Sequence, residues 1–368
     1  MNVLHISRTM GQGGAEKIVF QLCRDNNSVT QFVASCGGIY VSQLEKIGVK
    51  HFQIGDIDKK NPLLILRTLI TLNAIIKKNS IDIMHTHHRM AAFYARLIQI
   101  LNPKLMHVYT AHNIFYGRAM LMRFALKKAQ IVAVGDGVRD NLWAEYGISD
   151  EKIHVIYNAI DTKHAGQKTN PIVQKLNDKG QFVIGSIGRL SEQKGMDIFV
   201  KAVAKAHTAI PKLRAVIIGD GELKHKIEDC IRDLNMQDIV FMLGYQANVL
   251  EIIGQLQFVV LASRWEGLPL TPIETFSQGK TIIATDISGN NEVISHNRTG
   301  LLFRLDDAGE LADKIELLYK NMELKERLEC NARNEFAEKY DYGKFIERYA
   351  GIYNFDNNLT KGTPHFPN

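Results

Sequence analysis

Cysteine is scarce in this 368-residue chain: Cys23, Cys36, Cys230 and Cys330 stand far apart, with no CxxC pair. That excludes a disulfide framework and a cysteine-based zinc site, and the four read as small apolar residues in a reducing compartment. Long hydrophobic runs are missing as well, so no segment reads as a membrane span. The opening MNVLHIS has neither a basic n-region nor an apolar h-region and reads as a strand, which leads us to expect a cytoplasmic protein. The first glycine-rich turn, MGQGGAEK, does not match GxGxxG, and no Walker lysine-serine pair follows it.

What is present is the composition of an ordinary folded protein, 45% apolar and 23% charged, with enough chain for two domains. The net charge of +6 is unevenly spread. Met1 to Asn170 holds 21 Lys+Arg against 12 Asp+Glu, or +9, leaving 24 against 27, or −3, for the remainder. The basic residues lack the aromatic interleaving of a nucleic-acid surface, so no nucleic acid is expected. A phosphorylated substrate or an acidic membrane surface fits better. Basic residues flank apolar ones in KKNPLLILRTLITLNAIIKK and in YGRAMLMRFALKK; the first reads as a helix covering a sheet, the second as the better membrane contact.

One rhythm occurs twice. NVLHIS, QFVAS, IDIMHTH, LMHVYTAH and QIVAVG are short β-rich runs alternating with helical patterns, and FVIGSIG, LRAVIIG, IVFMLG, QFVVLA and TIIAT repeat the arrangement. This predicts an α/β protein of two Rossmann-like, doubly wound parallel-sheet domains facing a central cleft, over residues 1–160 and 161–342. The polar, poorly periodic AIDTKHAGQKTNPIVQKLNDKGQ reads as the connection. A helix over about 343–356 is expected to pack back on the first domain, and 357–368 reads as a loose tail.

The stretch SRWEGLPLTPIETFSQG, Ser263 to Gly279, follows an apolar strand and sets two glutamates eight positions apart. Gly267 and Pro269 forbid one helix through both. TPIE reads as a helix start, with Thr271 as N-cap, Pro272 at the first position and Glu274 as capping-box partner; Gly279 reads as the stop. Glu266, in a loop with no capping duty, reads as functional. Other strand ends carry Gly11, Gly13 and Gly14 in MGQGGAEK, where backbone can approach a phosphate. SIGRLSEQKG places Arg189 and Lys194 before a helix, a bidentate donor and a point charge suited to a diphosphate. DID at Asp56 to Asp58 reads as a solvated loop. His85, His87 and His88 in MHTHHR have no carboxylate at metal-ligand spacing and read as a cleft lining.

GGAEK, GRLSEQKG, IGDGE, and Glu266 followed seven residues on by Glu274, each at a strand end and in this order, resemble the family 4 glycosyltransferases over residues 2 to about 350. The resemblance implies retaining enzymes of GT-B fold, with acceptor on the first domain and a nucleotide-sugar donor on the second. By it, Arg189 and Lys194 hold the donor diphosphate, Glu266 the sugar hydroxyls and Glu274 the ribose. Gly13 and Gly14 form the family's glycine-rich loop, and His112 in YTAHN is its active-site histidine. Gly267, Leu268, Leu270 and Thr271 complete the donor site, while His85, His87 and Asn113 are acceptor contacts. Many relatives carry Phe-Gly where this chain has Leu268-Pro269, and Pro269 offers no N–H.

Glycosyl transfer develops oxocarbenium character while a nucleoside diphosphate departs, so the leaving phosphates must be neutralised. Arg189, Lys194 and the helix start at Thr271 suffice for that without a metal, and no cofactor is expected. The sequence thus reads as a retaining transferase that builds a bacterial-type surface polysaccharide or glycolipid on a glycan or lipid-linked acceptor, peripheral at the inner membrane face. One alternative is a non-catalytic partner subunit that binds glycan, but such a chain would lose the donor-grip residues. A nicotinamide-dependent dehydrogenase is the other, and it lacks GxGxxG with an acid at the proper distance.

Overall fold

A computed structural model describes residues 1–59, 61–162 and 169–354. The chain divides into two compact units, Met1–Asn158 with the segment from Tyr342 onward, and Ala159–Asp341. In the first, β1 (Asn2–Ile6), β2 (Thr30–Ser35), β3 (Lys50–Gln53), β4 (Ile83–Thr86), β5 (Met106–Ala111), β6 (Gln130–Ala133) and β7 (Ile153–Val155) form one parallel sheet in the order 3-2-1-4-5-6-7. The second unit assembles β8 (Phe182–Ile187), β9 (Leu213–Ile218), β10 (Val240–Gly244), β11 (Val259–Leu261), β12 (Ile282–Thr285) and β13 (Gly300–Phe303) in the order 10-9-8-11-12-13. Each order reverses once, between β1 and β4 and between β8 and β11. In such sheets the carboxyl ends at the reversal form the binding crevice.

Parallel strands are covered on both faces, which is why they read as unbroken apolar runs rather than alternating ones. Every residue of Phe182–Ile187 is buried. Ile184, Val260 and Ile283 share a core cluster with Phe199 and Val203 of the helix Met196–Ala209. Burying side chains of that size contributes about 1.5–3 kcal/mol each. In the first unit, Leu4, Ile6, Met84, Leu72 and Tyr94 pack likewise. Strand register sets His5 of β1 directly beside His85 of β4.

The sequence reading needs three corrections. Within the polar connection, Pro171–Asp178 is a helix, because Asn170 caps it, accepting from the N–H groups of Ile172 and Val173, and Pro171 takes a first-turn position that needs no donor. Residues 163–168 of that connection lie outside the described ones. Next, β3, β7 and β13 were not expected; all three are short strands at sheet edges. The final helix covers Tyr342–Tyr353, and its phenols join the first sheet, Tyr353 Oη 2.7 Å from His85 Nδ1 and Tyr349 Oη 3.3 Å from Thr110 Oγ1. The expected tail over 357–368 lies outside the described residues.

The third correction concerns the helix after β11. It runs Leu270–Ser277, with Pro269 as its N-cap residue and no side-chain cap. Pro272 is therefore third in the helix, still in the first turn where an N–H has no intrahelical partner to lose. Thr271 is not the cap, and Glu274, fifth in the helix, is no capping-box partner. Gly279 does sit just past the end with φ +64°, as expected of a stop.

Candidate functional site

In the second unit, the reversal between β8 and β11 brings together loops that stand 72 residues apart in sequence. After β8 the chain passes Arg189, makes one 3-10 turn at Glu192–Lys194, and enters its helix through Gly195 at φ +57°. A Cβ on Gly195 would lie 2.1 Å from the Ala262 carbonyl oxygen, so glycine lets the two loops touch. Gly219 of IGDGE serves the same end, since a Cβ there would meet the Gly188 carbonyl oxygen at 2.0 Å.

Glu266 is buried at the centre of this contact. Its Oε1 accepts from Lys194 Nζ at 2.5 Å and from Ser263 Oγ at 2.6 Å, and its Oε2 from Gln193 Nε2 at 3.3 Å. A carboxylate has about four lone-pair positions, so roughly one remains for a ligand. Lys194 has two further ammonium hydrogens beyond the one given to Glu266. Arg189 is exposed, with its guanidinium available to an anion. Arg264 ties the loop down, its backbone N–H donating to the Gln193 carbonyl at 2.7 Å and its guanidinium to Asp197 and Asp306. Leu268, Leu270, Thr271 and Glu274 are all buried, and Gly267 rests against Gly289, where a Cβ would meet the Gly267 carbonyl oxygen at 2.4 Å.

Sequence reasoning placed Glu266 and Lys194 but not Gln193, Ser263 or Gly289. Ser263 carried a signal, a polar residue closing an apolar strand. Gln193 and Gly289 carried none that a single sequence shows.

In the first unit Gly13 is the N-cap residue of the helix Gly14–Asp25, whose first turn holds Glu16. Thr9 Oγ1 donates to Glu16 Oε1 at 2.7 Å, and the Glu16 carboxylate lies where a Gly13 Cβ would stand. His85 and His87, expected as a cleft lining, are buried, because both belong to a polar network within the sheet. His5 Nδ1 is 2.9 Å from His87 Nε2, and His87 Nδ1 is 3.0 Å from His112 Nε2. Asn113 Oδ1 accepts from the Ile114 N–H at 2.9 Å. His88 caps the helix Arg89–Leu101.

Burial pushes the His5 imidazole down to about 4 and His107 and His112 to about 3, and holds His85 and His87 well below the usual histidine range. His5, His85 and His87 lie close enough for three ring nitrogens to share an ion. All six of their ring nitrogens, however, already have partners: Gln31, His87, His112, His5, Thr110 and Tyr353. An ion would have to break that network without any carboxylate to balance its charge. Asp56 and Asp58 of DID are paired with Arg8 at 3.0 and 3.1 Å rather than simply solvated, and Arg8 holds the Asp56 carboxyl below its ordinary range.

Residues 7–164 match the family described as Glycosyltransferase Family 4, and residues 167–335 match Glycosyl transferases group 1. The chain belongs to the family 4 glycosyltransferases. This transferase is 26% identical to the UDP-Gal:alpha-D-GlcNAc-diphosphoundecaprenol alpha-1,3-galactosyltransferase of Escherichia coli, over 78% of this chain and 79% of that one. It is also 26% identical to an N-acetylgalactosamine-N,N'-diacetylbacillosaminyl-diphospho-undecaprenol 4-alpha-N-acetylgalactosaminyltransferase of Campylobacter jejuni, over 69% of this chain and 68% of that one. Among solved structures, Anabaena HepE in complex with UDP-glucose aligns with a TM-score of 0.82 at 19% identity, over 96% of this chain and 100% of that one. The two parallel-sheet α/β domains of the glycosyltransferase are thus those of the GT-B fold.

Proposed function

We propose that this glycosyltransferase moves a sugar, with retention at the anomeric carbon and without a metal, from a nucleotide-sugar to a lipid-linked or glycan acceptor in surface polysaccharide synthesis. The observation that carries the reading is the Lys194–Glu266 pair at the reversal between β8 and β11, flanked by exposed Arg189. It combines fixed positive charge for a leaving diphosphate with one open carboxylate position for a sugar hydroxyl. Relatives that act on diphosphoundecaprenol-linked sugars support the acceptor class, and the HepE complex with UDP-glucose supports the donor class.

In this mechanism the bond from the anomeric carbon to the phosphate oxygen breaks as Arg189 and Lys194 stabilise the departing diphosphate. The first turn of Leu270–Ser277, with no side-chain cap, adds the N–H groups of Leu270 and Thr271. The acceptor hydroxyl then bonds to that carbon on the face the phosphate leaves, and its proton passes to the phosphate oxygen. No enzyme carboxylate is needed as a nucleophile, which leaves Glu266 to grip the sugar and Glu274 the ribose. His112 and Asn113 serve the first unit's share of the substrates. The deciding experiment incubates the purified protein with a panel of nucleotide sugars and an undecaprenyl-diphosphate-linked sugar, following product by mass and anomeric configuration by NMR. Transfer with inversion, or none with any donor, would overturn the proposal.

A further inference from the structure

Four side chains from neighbouring strands of the first sheet form a single hydrogen-bonded line whose direction can be worked out. Gln31 stands in β2, His5 in β1, His87 just past β4 and His112 just past β5. Gln31 Nε2 lies 3.3 Å from the Leu22 carbonyl and 3.2 Å from the Asn26 carbonyl. Facing two acceptors, that atom must be the NH2 group. Gln31 Oε1, 2.8 Å from His5 Nε2, is then the acceptor, and His5 must carry its proton on Nε2. A neutral imidazole with Nε2–H has a bare Nδ1, so His87 Nε2 donates to His5 Nδ1 across 2.9 Å. By the same step His87 Nδ1 is bare, and His112 Nε2 donates to it across 3.0 Å. Among the described residues His112 Nδ1 meets no hydrogen-bond partner, and His112 is only partly buried.

We propose that Gln31, His5 and His87 are positioning residues that lock His112 as its Nε2–H tautomer and present the Nδ1 lone pair to substrate. Any group that meets it must donate a hydrogen bond, as a sugar hydroxyl does and an ionised phosphate oxygen does not. Burial of His5 and His87 supports the line by disfavouring a charged member, which would turn an acceptor into a donor. The proposal rests on the glycosyltransferase reading only for the identity of the hydroxyl.

The test therefore needs no substrate. The full chain, labelled with 15N in its imidazoles, is examined at pH 7 by long-range 1H–15N correlation, with the His112 signals assigned by their loss in His112→Gln. We expect His5, His87 and His112 each to show a protonated Nε2 and an unprotonated Nδ1. A proton on His112 Nδ1, or on both its nitrogens, would overturn the relay while leaving the transferase reading intact. Gln31→Met removes the terminal acceptor at similar volume, and the His112 Nδ1 signal should then move toward a mixed tautomer. An unchanged His112 signal in folded Gln31→Met would equally overturn it. If that variant does not fold, the wild-type spectrum decides alone.

Discussion

Where the first sheet reverses, between β1 and β4, the side chains that meet are imidazoles; where the second reverses, between β8 and β11, a lysine meets a glutamate. The histidines are kept neutral because burial disfavours their charged form, and along the line each imidazole meets a neutral partner. The lysine and glutamate meet as an ion pair with little exposure to solvent, each compensating the other. A neutral network can fix which atom donates and which accepts. An ionic one can meet a diphosphate. The same strand order has thus been given two electrostatic characters, and acid should separate them first.

His5, His85, His87 and His107 are fully or almost fully buried, and burial lowers them from 6.5, His5 to about 4 and His107 to about 3. Below 6.5 the unfolded chain takes up protons that the folded chain refuses. Their contribution is therefore complete above pH 6.5 and is lost progressively as pH falls below it, for His5 until about pH 4. Each costs about 1.4 kcal/mol per pH unit in that window, so the four together cost several. Pulse proteolysis in urea at pH 7.0 and 5.5 should show the urea midpoint falling steeply, with cleavage first inside Met1–Asn158. Equal midpoints, or first cleavage inside Ala159–Asp341, would mean that the histidines are not held neutral.

The ionic side should break by substitution. Glu266→Gln keeps an acceptor for Lys194 and Ser263 but removes the charge, and turnover should fall about 10²–10³-fold, as for loss of a preorganised transition-state contact. Glu266→Ala should lose the same activity and also about 3 kcal/mol of stability, since it strands a largely buried lysine. From the sequence, Glu266 reads as a loop residue with no capping duty; its three partners in the fold give it a structural role as well. Near-normal transfer by Glu266→Gln would sink the sugar-grip assignment.

That difference marks how far the sequence could be read. Strand, loop and helix were legible because parallel strands must be apolar throughout and their loops carry Gly and polar residues, as at Gly195 and Glu266. The start of Leu270–Ser277 was misread because Pro272 suits the third helical position as well as the first. The edge strands escaped because pieces such as KHFQ are short and half-exposed and leave no apolar run. The relay was illegible for another reason. His5 finds His87 at 82 positions and Gln31 at 26, and no local pattern reports such a pairing.

Arg189→Ala gives a milder test of the ionic side. The side chain is exposed, so its loss should leave the melting temperature unchanged. Binding of the free nucleoside diphosphate, read by calorimetry, should weaken about tenfold, the value of one charged hydrogen bond. On the proposed mechanism, in which protein cations supply the charge on the diphosphate, transfer should survive EDTA. EDTA-sensitive turnover restored by manganese would instead give a metal that task.

The smallest effect we expect lies on the surface of the basic unit, in its docking to an anionic membrane. The helix Pro62–Lys78 covers the sheet with Thr68, Leu72, Ile75 and Ile76, as its apolar pattern requires. Yet Leu63, Leu66 and Ile70 are 78%, 56% and 62% exposed, and Arg67, Lys77 and Lys78 are exposed on the same helix. The sequence favoured the segment around Met120 instead, but there Met122 is buried and Arg123 Nε is committed to the Tyr146 carbonyl at 2.7 Å. Met120, Lys127 and Lys128 remain exposed. Each basic residue near an anionic leaflet contributes about 1 kcal/mol, so binding should be weak and reversible. It should also fade as the Debye length shrinks to about 3 Å near molar salt. Co-sedimentation with anionic and neutral vesicles should show binding to the anionic ones at low salt. The triple variant Leu63→Gln, Leu66→Gln, Ile70→Gln should lose most of it, and Lys127→Glu with Lys128→Glu a smaller part. Because none of these side chains lies in either constellation, transfer to a water-soluble acceptor analogue should be unchanged in both variants. If the protein ignores anionic vesicles at low salt, or the triple variant binds them as well as wild type, the exposed face of Pro62–Lys78 is not what meets the membrane.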